Sequence, residues 1–410
     1  MLLKNKLDKI TFFLLCILIV LFPINYKIGL SLRIFDIVYI FTFFLFLFTT
    51  FKVQKIYVVL VLFIICILII STWNGYLKTK SIDVTRIIFV YKYFIIFSVP
   101  MLVSNIMNTP YRVKAINRFM LCVFIALLAW VYLYLMLNYF EIINGNKRPS
   151  FPFSENYKIP DSHLLSSILG LLTITYLFYW RRFFKHNGVL SLLIMSNALF
   201  VLLLTGSRTG VVLIVFSIIT YLGYKFFTTK EIKIKKGSYL KFVVFGIISI
   251  CFFVFFQEKV LYIIENNILL IERALNFDLE NDASSQGRIA KLLSALNDLS
   301  VAGYVFGLGI LSSSLIWYDG VVSILLAHGG MLLLTSFLLF IVFIIYKAYI
   351  YARYDKQKVY FLTFLLLLVT YILSNGITEY VFVSRNGFPA LLILSLLYTI
   401  NKNKILTNRN

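Results

Sequence analysis

Ile56-Tyr-Val-Val-Leu-Val-Leu-Phe-Ile-Ile-Cys-Ile-Leu-Ile-Ile-Ser-Thr-Trp73 contains no charged side chain. A helix rising about 1.5 Å per residue needs roughly 20 apolar residues to cross a hydrocarbon core about 30 Å thick, and this run is of that order. Comparable runs lie near 10–26 and 34–51 before it, and near 87–106, 118–140, 162–180, 189–205, 208–227, 239–257, 321–346, 359–375 and 387–401 after it, twelve in all. With 61% hydrophobic and only 14% charged residues, this 410-residue chain lacks the polar surface that two or three soluble domains require. The expected fold is therefore an all-α integral membrane protein of about twelve transmembrane helices, a single helical domain over residues 1–410. The first run is longer than a signal-peptide core and has no small-residue cleavage site, so it is expected to remain as a span. Cys16, Cys66, Cys122 and Cys251 all fall in apolar runs and read as small hydrophobes, with neither metal spacing nor a disulfide framework.

A formal net charge of +22 is compatible with nucleic acid or with a membrane surface, and the placement of the charges decides between them. With the N-terminus in the cytoplasm, 24 of the 39 Lys and Arg fall in inner segments and 14 in outer ones, with Lys92 inside the fourth span. Lys225, Lys230, Lys233, Lys235, Lys236 and Lys241 form the heaviest inner cluster, as the positive-inside rule requires, so no nucleic-acid partner is needed to explain the charge. Of the 17 acidic residues only Asp8, Glu231 and Asp355 are inner, which leaves the outer face close to neutral. Both termini are then cytoplasmic, and residues 258–320, the longest stretch without a spanning pattern, form an extracytoplasmic loop. Within it Glu258, Glu265 and Glu272 recur every seven positions among Val260, Leu261, Ile264, Ile268 and Ile271, the pattern of a helix lying on the bilayer or the bundle. A second short helix is expected after the polar stretch Asp278 to Gln286, capped by Ser284 or Ser285. No repeat, low-complexity tract or linker divides the chain.

The outer arginines persist against the charge bias, which makes them candidates for chemistry. Arg208 lies in Thr205-Gly-Ser-Arg-Thr-Gly210, between two apolar runs, where it suits either a diphosphate or a snorkelling contact to lipid phosphates. Arg288 and Lys291 share one face at the start of the second loop helix, where free N–H groups favour an anion. Asp319 stands where the tenth span starts, as N-cap or as proton acceptor. His328 lies nine residues further on, about 13 Å deeper, and is expected to be a buried histidine bonded to a neighbouring helix. Lys92 and Asp36 both fall inside spans near the outer side, where each can neutralise the other.

These segments resemble the O-antigen polymerases and O-antigen ligases, polytopic enzymes that transfer undecaprenyl-diphosphate-linked glycans outside the cytoplasmic membrane. Thr205 to Gly210 is similar to the family's Ser-Arg element at the start of a span. Gln286-Gly-Arg288 followed by Val305-Phe-Gly-Leu-Gly309 resembles the loop arginine and its downstream Gly-x-Gly turn. Asp319-Gly-Val-Val-Ser-Ile-Leu-Leu-Ala-His-Gly329 fits the place where ligases carry a His-Asn pair, with Asp instead of His first, a departure that favours a polymerase. Arg148 to Asn156 is similar to an outer-loop Arg…Phe…Asn pattern.

The resemblance implies metal-free, cofactor-free glycosyl transfer on the extracytoplasmic face of the bacterial inner membrane. The donor and acceptor would both be undecaprenyl-diphosphate-linked oligosaccharides, with the bilayer and a chain-length-regulating copolymerase as candidate partners. The sequence holds no Asp-x-Asp motif, so arginines would serve as the cations. Arg208 and Arg288 would stabilise the departing diphosphate, and Asp319 would take the acceptor hydroxyl proton, with His328 or Glu379 as the fallback base. Lys291, Arg148, Asn156 and His328 are expected to bind substrate, as are Glu379, Arg385, Arg86 and Lys92. Phe151, Phe153, Tyr157, Trp317, Tyr318 and Tyr380 are candidates for stacking on sugar faces, or for an interfacial belt. The alternatives are a ligase acting on lipid A–core and a flippase or transporter for lipid-linked sugars.

Overall fold

The computed structural model describes residues 2–24, 26–29, 32–49, 55–80, 87–107, 109–143, 148–154, 162–207, 301–310, 321–353 and 387–396, with isolated positions between 215 and 299. These are mostly helical: α1 (Leu2–Leu21), α2 (Ile34–Leu47), α3 (Lys55–Thr79), α4 (Ile87–Ile106), α5 (Pro110–Tyr139), α6 (Ser162–Thr175), α7 (Arg181–Phe183), α8 (Gly188–Leu204), α9 (Val301–Phe306) and α10 (Val321–Arg353). A further helix covers 388–396. Four helices among the described residues are long and apolar enough to cross a membrane: Lys55–Lys78, Pro110–Tyr139, Ser162–Trp180 and Val322–Lys347. The runs expected at 208–227, 239–257 and 359–375, and almost all of the loop 258–320 before α9, lie outside the described residues.

Local chemistry sets several boundaries. α1 stops at Leu21, short of the expected 26, because Pro23 disfavours helical backbone in the residue before it. The chain then forms a two-stranded antiparallel hairpin, β1 (Lys27–Gly29) and β2 (Leu32–Arg33), so an all-α reading misses this element. The Asp36 carboxylate accepts the Arg33 backbone N–H at 2.8 Å and caps α2. Asp36 therefore has a capping role; Lys92 occupies a position in α4, and the expected pairing of the two lies outside the described side chains. α5 starts with Pro110 behind Thr109, whose hydroxyl accepts from Arg112 N at 3.4 Å. α6 runs into a π-helical turn, Tyr176–Trp180, in which Trp180 is fully buried.

The described contacts form two compact units, one of residues 1–120 and 278–410 and one of residues 121–277. In the first, α10 packs on α3 and α9, and α1 on α2 and α4. Helix 388–396 is buried on every face, as a helix at the centre of a bundle must be. Its Phe388 ring meets Phe22 at 6.3 Å and Phe35 at 5.2 Å, joining the end of α1 to the start of α2. The Tyr91 hydroxyl at the start of α4 donates to the Asp36 carbonyl at 2.7 Å. At the opposite end, Arg112 donates to Asp8 at 2.6 Å and to the Ile106 carbonyl at 2.9 Å, and lies over the Phe12 ring at 5.2 Å. The successive helices α1 to α4 therefore alternate in direction. Their outward faces are apolar: Val59, Leu62, Phe63, Ile69 and Ile70 on α3 are all exposed, a surface that suits lipid.

The Arg112 clamp yields a first prediction. Arg112→Ala is expected to cost about 1–2 kcal/mol, because both partners are partly exposed and the charged hydrogen bonds are screened. Thermal melts of the detergent-solubilised protein check this. The Asp8→Asn and Arg112→Ala losses should be less than additive in the double variant; strict additivity would mean that the ion pair contributes nothing.

Candidate functional site

The feature that organises the first unit is a break in α10. Gly329 (φ −150°, ψ 15°) and Gly330 (φ 63°, ψ −162°) leave helical geometry in the middle of an apolar helix. The Gly330 conformation is accessible essentially only to glycine. Carbonyls in the turn before such a break lose their partners four residues on, a loss of several kcal/mol each in hydrocarbon if nothing replaces them. Two replacements are present. Leu308 N–H donates to the Ala327 carbonyl at 2.7 Å, and the Ser71 hydroxyl donates to the His328 carbonyl.

The turn that follows α9 is built for this contact. Gly307 (φ +74°) and Gly309 (φ +93°) both take left-handed backbone. A methyl group on Gly307 would lie 2.5 Å from Gly329 N and 2.7 Å from Gly330 N, and one on Gly309 would lie 2.6 Å from Ser71 O. A methyl group on Gly330 would collide with the Val305 carbonyl, and one on Gly75 with the Leu308 carbonyl. Glycines from α3, the α9 turn and α10 thus allow three backbones to touch.

His328 sits at the centre of this contact, 4% exposed, with Nδ1 3.0 Å from the Tyr93 hydroxyl of α4 and the two rings edge to face at 5.9 Å. The expectation of a buried histidine bonded to a neighbouring helix is met. Ser71, Tyr93 and His328 lie eight, six and seven residues from Thr79, Ile87 and Val321, so all three stand about 9–12 Å from the same end of the unit. Tyr93 directly follows Lys92 in the sequence.

The second unit holds two of the expected segments. α8 ends at Leu204, its Thr205 hydroxyl bonded to the Leu202 carbonyl at 2.7 Å, and Gly206 turns the chain with φ +61°. The short turn leading to Arg208 is therefore described as far as Ser207, which is buried. The Arg148–Ser154 segment is held by Trp130, whose Nε1 donates to the Ser150 carbonyl at 2.8 Å. Arg148 is half-buried. Phe153 takes φ +56° and stacks on Trp130 at 6.5 Å while staying largely exposed. Phe151 is fully buried, which corrects its candidacy as a sugar platform: its ring is an anchor for the loop. Arg208, Arg288, Asp319, Lys291, Asn156, Glu379, Arg385 and Arg86 lie outside the described residues.

Tyr93, Ser71 and Gly75 are the members of the site that the sequence alone did not expose. Their partners lie 233 residues or more away, and each sits in or beside an apolar run with nothing local to distinguish it. The Gly329-Gly330 pair inside a span was the legible signal for the break. No protein-family model and no curated protein matches this chain.

Proposed function

We propose that this chain is an integral membrane glycosyltransferase of the O-antigen polymerase type. It works at the extracytoplasmic face of the bacterial cytoplasmic membrane, with both termini inside. It moves an undecaprenyl-diphosphate-linked glycan onto the non-reducing-end hydroxyl of another lipid-linked repeat unit, without metal. The observation that carries this reading is the interlock of Val305-Phe-Gly-Leu-Gly309 with His328-Gly-Gly330. Those are the two segments in which the resemblance has its glycine signatures, and Asp319 lies on the chain between them. The alternation of helix directions in the first unit supports the charge-derived topology, because it keeps Asp8 and Arg112 at one end and the broken-helix site near the other. Arg208 and Arg288 bind the leaving diphosphate with bidentate forks, and Asp319 accepts the proton of the attacking hydroxyl.

Arg208→Lys and Arg288→Lys are expected to fail nearly as fully as the alanine variants, each losing on the order of 100-fold or more in polymer formation, because an ammonium cannot reproduce the fork. Polymer length and amount on gels, with protein level checked, measure it. Normal polymer from either alanine variant would sink the assignment.

A flippase or transporter for lipid-linked sugars is the second reading, favoured by the break in α10, since discontinuous helices build substrate sites in that class. Such folds carry their breaks in pairs related by internal repeats, and among the described residues α10 alone has one. Removal of the protein separates the readings: a single repeat unit accumulating outside marks a polymerase, a full-length chain outside a ligase, and a unit trapped inside a flippase.

A further inference from the structure

His328 is held from three directions by three parts of the chain. Its own carbonyl accepts from Ser71 of α3, the carbonyl before it accepts from Leu308 N of the α9 turn, and its ring meets Tyr93 of α4. A histidine that only filled space would need one ring partner. Here the backbone on which the ring stands is fixed as well, and by glycine contacts that admit no side chain. The edge-to-face packing of the two rings, at 72° between planes, fixes the imidazole plane in addition to its position.

We infer that Tyr93 is the positioning residue of His328: its hydroxyl donates to Nδ1 and holds the imidazole neutral with its proton on Nε2, so that His328 serves the site as a hydrogen-bond donor and not as the proton acceptor. The phenol O–H is a stronger donor than a neutral imidazole N–H, and the unprotonated imidazole nitrogen is the stronger acceptor, so the 3.0 Å contact runs from Tyr93 to His328. Which imidazole nitrogen carries the proton is set by the bond the other one makes. With Nδ1 occupied as an acceptor, Nε2 carries the proton and cannot take a second role as base. The tautomer rests on the 3.0 Å contact and the relative donor strengths of its two groups; its consequence for the reaction rests on the polymerase reading, in which it leaves the base role to Asp319.

The chain has only three histidines, which makes the tautomer directly observable. Nitrogen-15 histidine labelling of the full-length protein in lipid nanodiscs gives three ring spectra, and His328→Gln identifies the one of interest. The expected spectrum has a protonated Nε2 and an unprotonated Nδ1, and Tyr93→Phe shifts that Nδ1 while leaving the other two histidines in place. A proton on Nδ1, a doubly protonated ring at neutral pH, or no response to Tyr93→Phe overturns the inference. In polymerisation of a purified lipid-linked repeat unit, His328→Gln keeps an N–H donor and is expected to stay within about tenfold of wild type. A loss on the order of 100- to 10,000-fold, the usual cost of removing a general base, overturns the donor role. A wild-type protein that does not polymerise would sink the polymerase reading alone, and the spectra would still decide the tautomer.

Discussion

Gly307→Ala is expected to remove about 3–5 kcal/mol of stability. Three costs combine. The residue takes φ +74°, which is strained by about 1–2 kcal/mol for any side chain with a Cβ. The new carbon would lie 2.5 Å from Gly329 N, 2.7 Å from Gly330 N and 2.8 Å from Ala327 O, all backbone atoms that cannot swing aside, and such overpacking costs about 1–3 kcal/mol. Moving the turn away to relieve the clash breaks the Leu308 N–H bond to Ala327 and exposes that carbonyl, about 1 kcal/mol or more. Thermal unfolding in detergent, with fluorescence-detected size exclusion as a second readout, measures the effect. A Gly307→Ala protein that melts within a degree or two of wild type would show that the interlock is absent.

Asp319→Asn is expected to reduce polymerisation of a lipid-linked repeat unit by about 100- to 10,000-fold while leaving the amount of folded protein unchanged. The substitution separates the two roles open to an aspartate that stands two residues before α10. Asparagine caps a helix about as well as aspartate, so a purely structural residue would tolerate the change. It cannot accept a proton at neutral pH, so a general base would not. A His328 fixed as donor by Tyr93 would not substitute for the lost carboxylate. A near wild-type rate would leave Asp319 as a cap and move the search for the base to Glu379.

Much of the helical framework was legible because hydrocarbon imposes one rule on every span. The run at 87–106 coincides with α4, and those at 162–180 and 189–205 match α6 with its π turn and α8 to within a residue. Boundaries failed where local chemistry intervened, as at Pro23, or where a helix outran its apolar stretch, as α10 does by continuing to Arg353. The site was legible only in part. His328 and the Gly-x-Gly turn carry their own signals, a rare polar group in a span and two turn glycines one residue apart. Tyr93 and Ser71 do not, because a tyrosine among Val90, Tyr91, Phe94 and Ile95 looks like any other apolar residue until the partner across the bundle is known. Asp36 has a role that its charge alone did not suggest: its carboxylate accepts the Arg33 backbone N–H at the start of α2.

The capped break in α10 also bears on how the protein is made. Alone in lipid, α10 can keep the Ala327 and His328 carbonyls satisfied only as an unbroken rod, since their later partners lie on α3 and on the turn after α9. Insertion and docking are therefore separate events, and the kink belongs to the second. Biogenesis defects in this region should then have a particular appearance: chains that reach the membrane in normal amount and with every segment threaded, yet remain open to protease near 307 because the final latch never closes.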